Sequence, residues 1–376
     1  MKILILASNY RKITVDSISA PERITALIAD DLVNRGYDVT LAASGDSRTK
    51  AKLFSVSNKE CYGDINLKGE RHVDFEFMLI KEAIKFANKN NIEIIHSQLD
   101  TRSAIYADFA KMPVIATLHS PIDGRNRFIM EKYRSDQSYI SISDVQREGA
   151  PSLNYIETIY HGMNLDGIRF EPNPKDALIT VGRISPEKGI DLAIEIAVAT
   201  NKKLEIIGRI DRNNSNSVRY FNEKIEKIVD SKKIGFTENV PYREVFKSIR
   251  NAKAFLFPIQ WEEPFGLVMT EAMACGTPVI AFARGSVPEV LKDGVTGFIV
   301  NSSEKDKRGS WIIKKTGVEG MIEAVKKIYA MPKEEYQAMR RACRAHVEHN
   351  FTVDKMVDGY EKVYARVLAS HKNINA

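Results

Sequence analysis

Two carboxylates eight positions apart carry the first sign of chemistry in this chain. They are Glu263 and Glu271, within Trp261-Glu262-Glu263-Pro264-Phe265-Gly266-Leu267-Val268-Met269-Thr270-Glu271-Ala272-Met273-Ala274-Cys275-Gly276-Thr277-Pro278. Apolar Ala254 to Phe257 reads as a buried strand and Pro258 to Pro264 as the loop after it. Pro264 suits a first helical position, Gly276 a left-handed exit, and Pro278 blocks continuation. On one such helix the two acids stand at most about 12 Å apart, near the reach of a nucleotide sugar from its sugar to its ribose hydroxyls. The amides of Phe265, Gly266 and Leu267 would then face an anion together with the positive helix end. Gly266 has no side chain to hold that anion off. The plainer reading makes Glu263 a loop acid, Glu271 a solvated helix face, and Phe265, Leu267 and Met269 core.

Cations stand in a second stretch, Val181-Gly182-Arg183-Ile184-Ser185-Pro186-Glu187-Lys188-Gly189-Ile190. It joins a strand end, a short loop and a helix start, with Ser185 as cap and Pro186 in the first turn. Arg183 and Lys188 would project at the mouth, suited to a diphosphate leaving group; each is otherwise a surface cation. Arg209, after Gly208, ends the next strand and is a weaker candidate for the diphosphate or the base. His119 ends the strand before Ser120-Pro121, either as a site residue or as a satisfied structural histidine. His96 and His161 also end strands and read as structural or as supports behind the site residues. No Asp-x-Asp occurs, and a metal-held diphosphate needs clustered carboxylates. Fixed cations and a helix end would do that work, so we expect no metal and no cofactor.

The elements that must position these groups alternate. Strand patterns begin at Lys2 to Ala7 and recur at Tyr37 to Ala43, Ile92 to His96, Pro113 to Leu118, Tyr139 to Ile142 and Tyr155 to Ile159. Helical patterns include one opened by Pro21, with others at Leu79 to Asn90 and Arg102 to Lys111. After a linker-like Gly167 to Asp176 the alternation restarts. Its strands are Ala177 to Val181, Lys203 to Ile207, Lys233 to Phe236, Lys253 to Pro258, Pro278 to Phe282 and Gly297 to Val300. This predicts α/β architecture with ligand groups beyond the carboxyl ends of parallel strands. Glu304 to Val318 reads as a polar insertion of unknown purpose, and the stretch from Val353 as a closing helix with one apolar face.

Composition narrows the classes. The length of 376 residues allows two domains and a large core. The net charge of +6 is not a nucleic-acid footprint: residues 1–170 hold 22 basic and 22 acidic side chains, and the surplus sits mostly after residue 301. Cys61, Cys275 and Cys343 form neither a disulfide framework nor a zinc pattern, so a cytoplasmic setting is expected. The N-terminal apolar run is too short for a signal peptide, and no stretch approaches a membrane span. Arg125 to Arg134 mixes cations with Phe128, Ile129, Met130 and Tyr133. It is either a peripheral membrane contact or an ordinary amphipathic helix, and the neutral N-terminal half favours the latter.

Glu263 and Glu271 with Pro-Phe-Gly-Leu between them, followed by Ala-Met-Ala-Cys-Gly-Thr-Pro-Val-Ile, resemble the motif of glycosyltransferase family 4. The element Gly182-Arg183 to Lys188-Gly189 matches that family too. The resemblance covers nearly the whole chain apart from 304–318. It implies the GT-B fold: two Rossmann-like doubly wound domains facing across a cleft, here 1–168 on the acceptor side and 169–350 on the nucleotide-sugar side. A helix in 351–376 then crosses back to the first domain. The implied activity is retaining transfer of a hexose from a nucleoside diphosphate sugar to an acceptor hydroxyl, by front-side attack. We expect a UDP-sugar ahead of a GDP-sugar. Glu263 would hold the donor sugar, Glu271 the ribose, and Arg183, Lys188 and the Phe265 to Leu267 amides the diphosphate. His119 would lie near the reacting carbon, and Val240, in Asn239-Val240-Pro241, beside the base. Relatives carry Gly-Gly where Ser19-Ala20 stands, which leaves the acceptor open. Ala43 to Ser47 and Arg284 to Glu289 look like the tetrahydrobiopterin-glucosyltransferase-like branch. The rival readings are a nucleotide-sugar 2-epimerase of the same fold and a non-catalytic sugar-nucleotide binder. Oligomeric state is not legible.

Overall fold

Apolar runs too short for helices become central strands buried on both faces, and the amphipathic segments between them become crossovers. The computed structural model describes residues 1–64, 71–230 and 232–375. It divides into two units, Met1–Asn164 with Thr352–Ala376, and Leu165–Phe351.

The first unit runs β1 (Lys2–Leu6), α1 (Ala20–Asn34), β2 (Asp38–Ala42), β3 (Lys52–Phe54), α2 (Arg71–Lys89), β4 (Ile94–Ser97), β5 (Val114–Thr117), α3 (Gly124–Lys132), β6 (Ser138–Ser141) and β7 (Tyr155–Thr158). Its parallel sheet has the order β3-β2-β1-β4-β5-β6-β7. Leu79, Ile80, Ala83 and Ala87 of α2 bury against Leu4, Leu6 and Ile95 as part of one core. The helix expected at Arg102 to Lys111 is instead a 3-10 segment, Ser103–Phe109. In α3 Met130 is buried while Phe128 is exposed.

The second unit runs β8 (Ala177–Arg183), α4 (Ile190–Ala199), β9 (Lys203–Arg209), α5 (Ser215–Lys224), β10 (Ile234–Glu238), α6 (Tyr242–Asn251), β11 (Ala254–Phe257), α7 (Leu267–Ala274), β12 (Val279–Phe282), α8 (Val287–Val290), β13 (Gly297–Val300), α9 (Gly317–Ala330) and α10 (Lys333–Asn350). All strands are parallel, in the order β10-β9-β8-β11-β12-β13. The order reverses between β8 and β11, where open parallel sheets take their ligands. Arg340 of α10 is fully buried, its guanidinium donating to the carbonyls of Glu171 (2.8 Å), Arg250 (2.9 Å) and Ala252 (3.1 Å). Those bonds satisfy a charge that would otherwise be costly to bury.

The last helix, α11 (Val353–Asn375), packs on α1 of the first unit. Arg35 donates to Asp358 (2.6 Å) and Glu361 (2.5 Å), and the Tyr37 hydroxyl to Glu361 (2.8 Å). Tyr360 and Tyr364 are fully buried. Ala376, the end of the expected crossing segment, lies outside the described residues.

Candidate active site

The groups of interest in the second unit gather at the strand reversal. After β8 the chain makes one 3-10 turn, Pro186–Lys188, before α4 begins. After β11 it enters the loop to Gly266, and the two loops are tied where the Gln260 amide donates to the Glu187 carbonyl at 2.8 Å. The Lys188 ammonium thereby donates to Glu263 Oε2 at 2.6 Å, and the Trp261 indole donates to the same oxygen at 2.9 Å. That ammonium also stands 4.9 Å from the Trp261 ring centroid, within cation–π range. One carboxylate, one ammonium and one indole thus form a fixed polar cluster next to the strand ends.

Two sequence expectations fail locally. Ser185 makes no cap; its hydroxyl is buried without a partner. The helix does not begin at Pro264 either: Gly266 takes φ +78, a left-handed value that cannot belong to an α-helix, and α7 starts at Leu267. Glu263 therefore belongs to the preceding loop and only Glu271 to the helix, so the two acids do not share one helix as expected. Phe265 and Gly266 lie ahead of the helix, leaving Leu267 to open its first turn. A Cβ at Gly266 would fall 2.6 Å from the Met269 methyl and 3.3 Å from Glu263 Cγ, so close approach there needs glycine.

Glu271, fifth residue of α7, is not a solvated acid: only 4 % of its surface is exposed. The Tyr242 hydroxyl donates to it at 3.1 Å. Burial, with the Glu271 charge added, pushes the Cys275 thiol up to about 12. Phe265, Leu267 and Met269 are buried as well. Arg183 and Arg209 are register partners at the ends of β8 and β9. Arg183 is exposed and sits 3.4 Å from Glu187; Arg209 is half-buried. Asn239 takes φ +58 and donates its amide to the Gly208 carbonyl at 3.1 Å, which sets half-buried Val240 beside the β9 terminus.

His119 belongs to the first unit and has a network of its own. Its Nε2 meets Gln98 Oε1 at 2.7 Å, the Gln98 amide nitrogen meets His96 Nε2 at 2.9 Å, and His96 Nδ1 meets the Tyr364 hydroxyl at 2.8 Å. If the Gln98 amide oxygen accepts, His119 carries its proton on Nε2 and leaves Nδ1 as acceptor; that Nδ1 is buried with no partner. Burial lowers the His119 pKa against the opposing pull of Asp100 and Glu22. His96 is driven to about 3 by burial, then by His119. Both rings are neutral at physiological pH.

Residues 166–316 match the family model described as glycosyl transferases group 1. That match lies wholly within the second unit. An uncharacterised 41.2 kDa protein in the cps region of Klebsiella pneumoniae is 30% identical over 57% of this chain and 56% of its own length. The D-inositol 3-phosphate glycosyltransferase of Mycolicibacterium smegmatis is 25% identical over 66% of this chain and 56% of its own. The chain thus spans about half the length of the curated relatives it matches. Sucrose-phosphate synthase from Thermosynechococcus elongatus is similar in structure, with a TM-score of 0.76 and 16% identity over 98% of this chain and 100% of that one. HepE of Anabaena in complex with UDP gives 0.72 and 16% over 97% and 100%. The fold is GT-B, with two Rossmann-like parallel-sheet domains.

Within the matched residues, several groups around Glu263 and Glu271 carry no local sequence signal. Trp261 was legible only as a nearby aromatic. Tyr242 stands 29 residues from Glu271 and gives no local signal. Gly285, at φ +54, lies flat on the next loop: a Cβ there would fall 2.2 Å from the Glu263 carbonyl oxygen. That same carbonyl accepts the Ser286 amide at 2.9 Å. The hold of Arg308 on Glu262 is likewise invisible locally.

Proposed function

We propose that the protein is a retaining glycosyltransferase that moves a hexose from a nucleoside diphosphate sugar to an acceptor hydroxyl, without a metal. The observation that carries this is the Lys188–Glu263 pair, fixed at the strand reversal of a group 1 domain. Such a pair suits a reaction in which a diphosphate departs beside the cation and positive charge grows on the sugar beside the carboxylate. Arg183 and Arg209 add charge at adjacent strand ends, and Leu267 opens α7 as an amide donor. Buried Glu271 accepts the ribose hydroxyls, Val240 lies beside the base, and His119 serves the reacting carbon. A UDP-sugar is preferred to a GDP-sugar; HepE, of the same fold, was crystallised with UDP.

In the step itself the acceptor oxygen bonds to the anomeric carbon on the face the diphosphate leaves. The carbon–oxygen bond to that diphosphate breaks, and the acceptor proton passes to a departing phosphate oxygen. No enzyme nucleophile is required. The likeness of Ala43 to Ser47 and Arg284 to Glu289 to the tetrahydrobiopterin-glucosyltransferase-like branch stays part of this reading. So does a cytoplasmic setting, which buried free thiols at Cys61, Cys275 and Cys343 support. Among the described residues no helix is long and apolar enough to cross a membrane.

The test is a thermal-shift screen of UDP-, GDP- and ADP-sugars, then NMR of the donor that stabilises most, with and without hydroxyl acceptors. Transfer with retained anomeric configuration, or slow donor hydrolysis alone, is expected. Isomerisation of the donor at C2 would make the protein an epimerase, and stabilisation without turnover would make it a binder.

A further inference from the structure

The run Glu304 to Val318, which sequence patterning leaves without a purpose, folds back through Arg308 onto the loop that carries Glu263 before α9 begins at Gly317. Asn301, buried at the end of β13, organises the turn: its side-chain oxygen accepts the Arg308 amide (2.8 Å) and the Trp311 indole (3.1 Å). Its side-chain nitrogen donates to the Gly309 carbonyl at 2.9 Å. Ile313, only 1% exposed, anchors the segment in the core of the second unit. Arg308 then reaches across 46 positions and grips Glu262 with both terminal nitrogens, at 2.5 and 2.7 Å. The grip is one link of a network. Asp306 holds the other side of Arg308 at 2.8 Å and stands 3.4 Å from Arg284, which in turn stands 3.5 Å from Glu262. The Gly285 amide donates to Glu262 as well, at 2.7 Å.

Adjacent carboxylates repel, and a neighbouring ammonium can pair with either of them. Here each has its own cation: Glu262 has the planar fork of Arg308, and Glu263 has Lys188. A bidentate fork fixes orientation as well as charge, which a lysine cannot copy. Burial alone would raise the Glu262 carboxyl, yet Arg308 and the Gly285 amide outweigh it and hold the group below its usual range.

We infer that Arg308 is a positioning residue for Glu263: by claiming Glu262 it leaves Lys188 to the neighbouring acid and sets the loop that meets the donor sugar. The inference rests on the proposed role of Glu263, so the experiment has a ligand-free arm. Trp261 touches Glu263 and reports the loop directly; its emission is isolated by subtracting matched Trp261→Phe spectra. Arg308→Ala is expected to shift that emission, to weaken UDP-glucose binding about tenfold by calorimetry, and to leave UDP itself within about twofold. Arg308→Lys, which keeps the charge and loses the fork, is expected to recover little of either, while in a Glu262→Gln background, where no second acid is left to compete for Lys188, Arg308→Ala is expected to change both readouts little. A folded Arg308→Ala protein with unaltered Trp261 emission and UDP-glucose affinity overturns the inference. If that variant does not fold, the same readouts on Arg308→Lys and on Arg308→Ala in the Glu262→Gln background decide. A wild-type protein that binds neither UDP nor UDP-glucose defeats the functional reading, and the emission arm then settles the role of Arg308 alone.

Discussion

The Lys188 ammonium and the Glu263 carboxylate stand 2.6 Å apart with most of both side chains out of water, 16% and 12% exposed. Removing one partner leaves a desolvated charge behind. Lys188→Met is therefore expected to cost roughly 2 kcal/mol of folding stability, below the full price of a deeply buried pair because some water remains. The double variant Lys188→Met with Glu263→Gln is expected to recover that stability and not the donor turnover, which falls on the order of 100-fold in both. Urea titration beside donor hydrolysis separates the two effects. Recovery of turnover in the double variant would show that the pair serves folding alone.

Glu271 is buried and receives the Tyr242 hydroxyl. Glu271→Gln keeps the shape and removes the charge, so UDP affinity is expected to fall about tenfold while turnover at saturating donor holds. Calorimetry with UDP and initial rates at high donor check this. Unchanged UDP affinity would move the ribose elsewhere.

Much of this was written in local patterning. Apolar runs gave the central strands within a residue or two, and Gly297–Val300 to the residue, because a strand buried on both faces has no other composition open to it. The start of α7 was misread because Pro264 fits a first helical turn, while the left-handed turn at Gly266 is set by packing against Met269 and Glu263. The edge strand Lys52–Phe54 was missed, being three residues long and largely exposed. Long-range pairs were out of reach: Arg308 with Glu262 spans 46 positions, and His96 with Tyr364 spans 268. Residue type marks such groups as capable, and only the fold says with whom.

Acid is expected to loosen the first unit. His96 is neutral when folded, its pKa pushed to about 3, and burial lowers His161 in the same direction. Below the unfolded value near 6.5 the unfolded chain takes up protons that the native state refuses. The stability His96 contributes is complete above about pH 6.5 and is lost as pH falls toward 3, at about 1.4 kcal/mol per pH unit, and His161 adds a loss of the same sign. Urea midpoints at pH 7.5 and 5.5 bracket the onset above most carboxylate titrations. His96→Gln is expected to flatten the slope whatever its effect on absolute stability; an unaltered slope refutes the assignment.

Chelation is expected to leave turnover untouched, since Lys188, Arg183 and the start of α7 carry the electrostatic work in this reading. Rates measured with EDTA and then with added Mn²⁺ check it. Activity abolished by the first and restored by the second would end the metal-independent mechanism.

Gly285→Ala is expected to be severe for so small a change. The added methyl group meets the Glu263 backbone at 2.2 Å, and φ +54 is strained for alanine. A loss of roughly 2 kcal/mol or more is expected, read from thermal melts, with donor hydrolysis falling alongside. A variant as stable and active as the wild type would mean the two loops part easily.

Because α11 supplies Tyr360 and Tyr364 to the histidine network of the first unit, that unit is assembled from two stretches separated in sequence by the whole second unit. On the ribosome the intervening segment is made in full before this helix emerges. The later-made unit is thus free to mature first, while the N-terminal sheet waits with His96 and Thr117 lacking their tyrosines. Completion of the first unit therefore depends on a segment translated after the whole of the second.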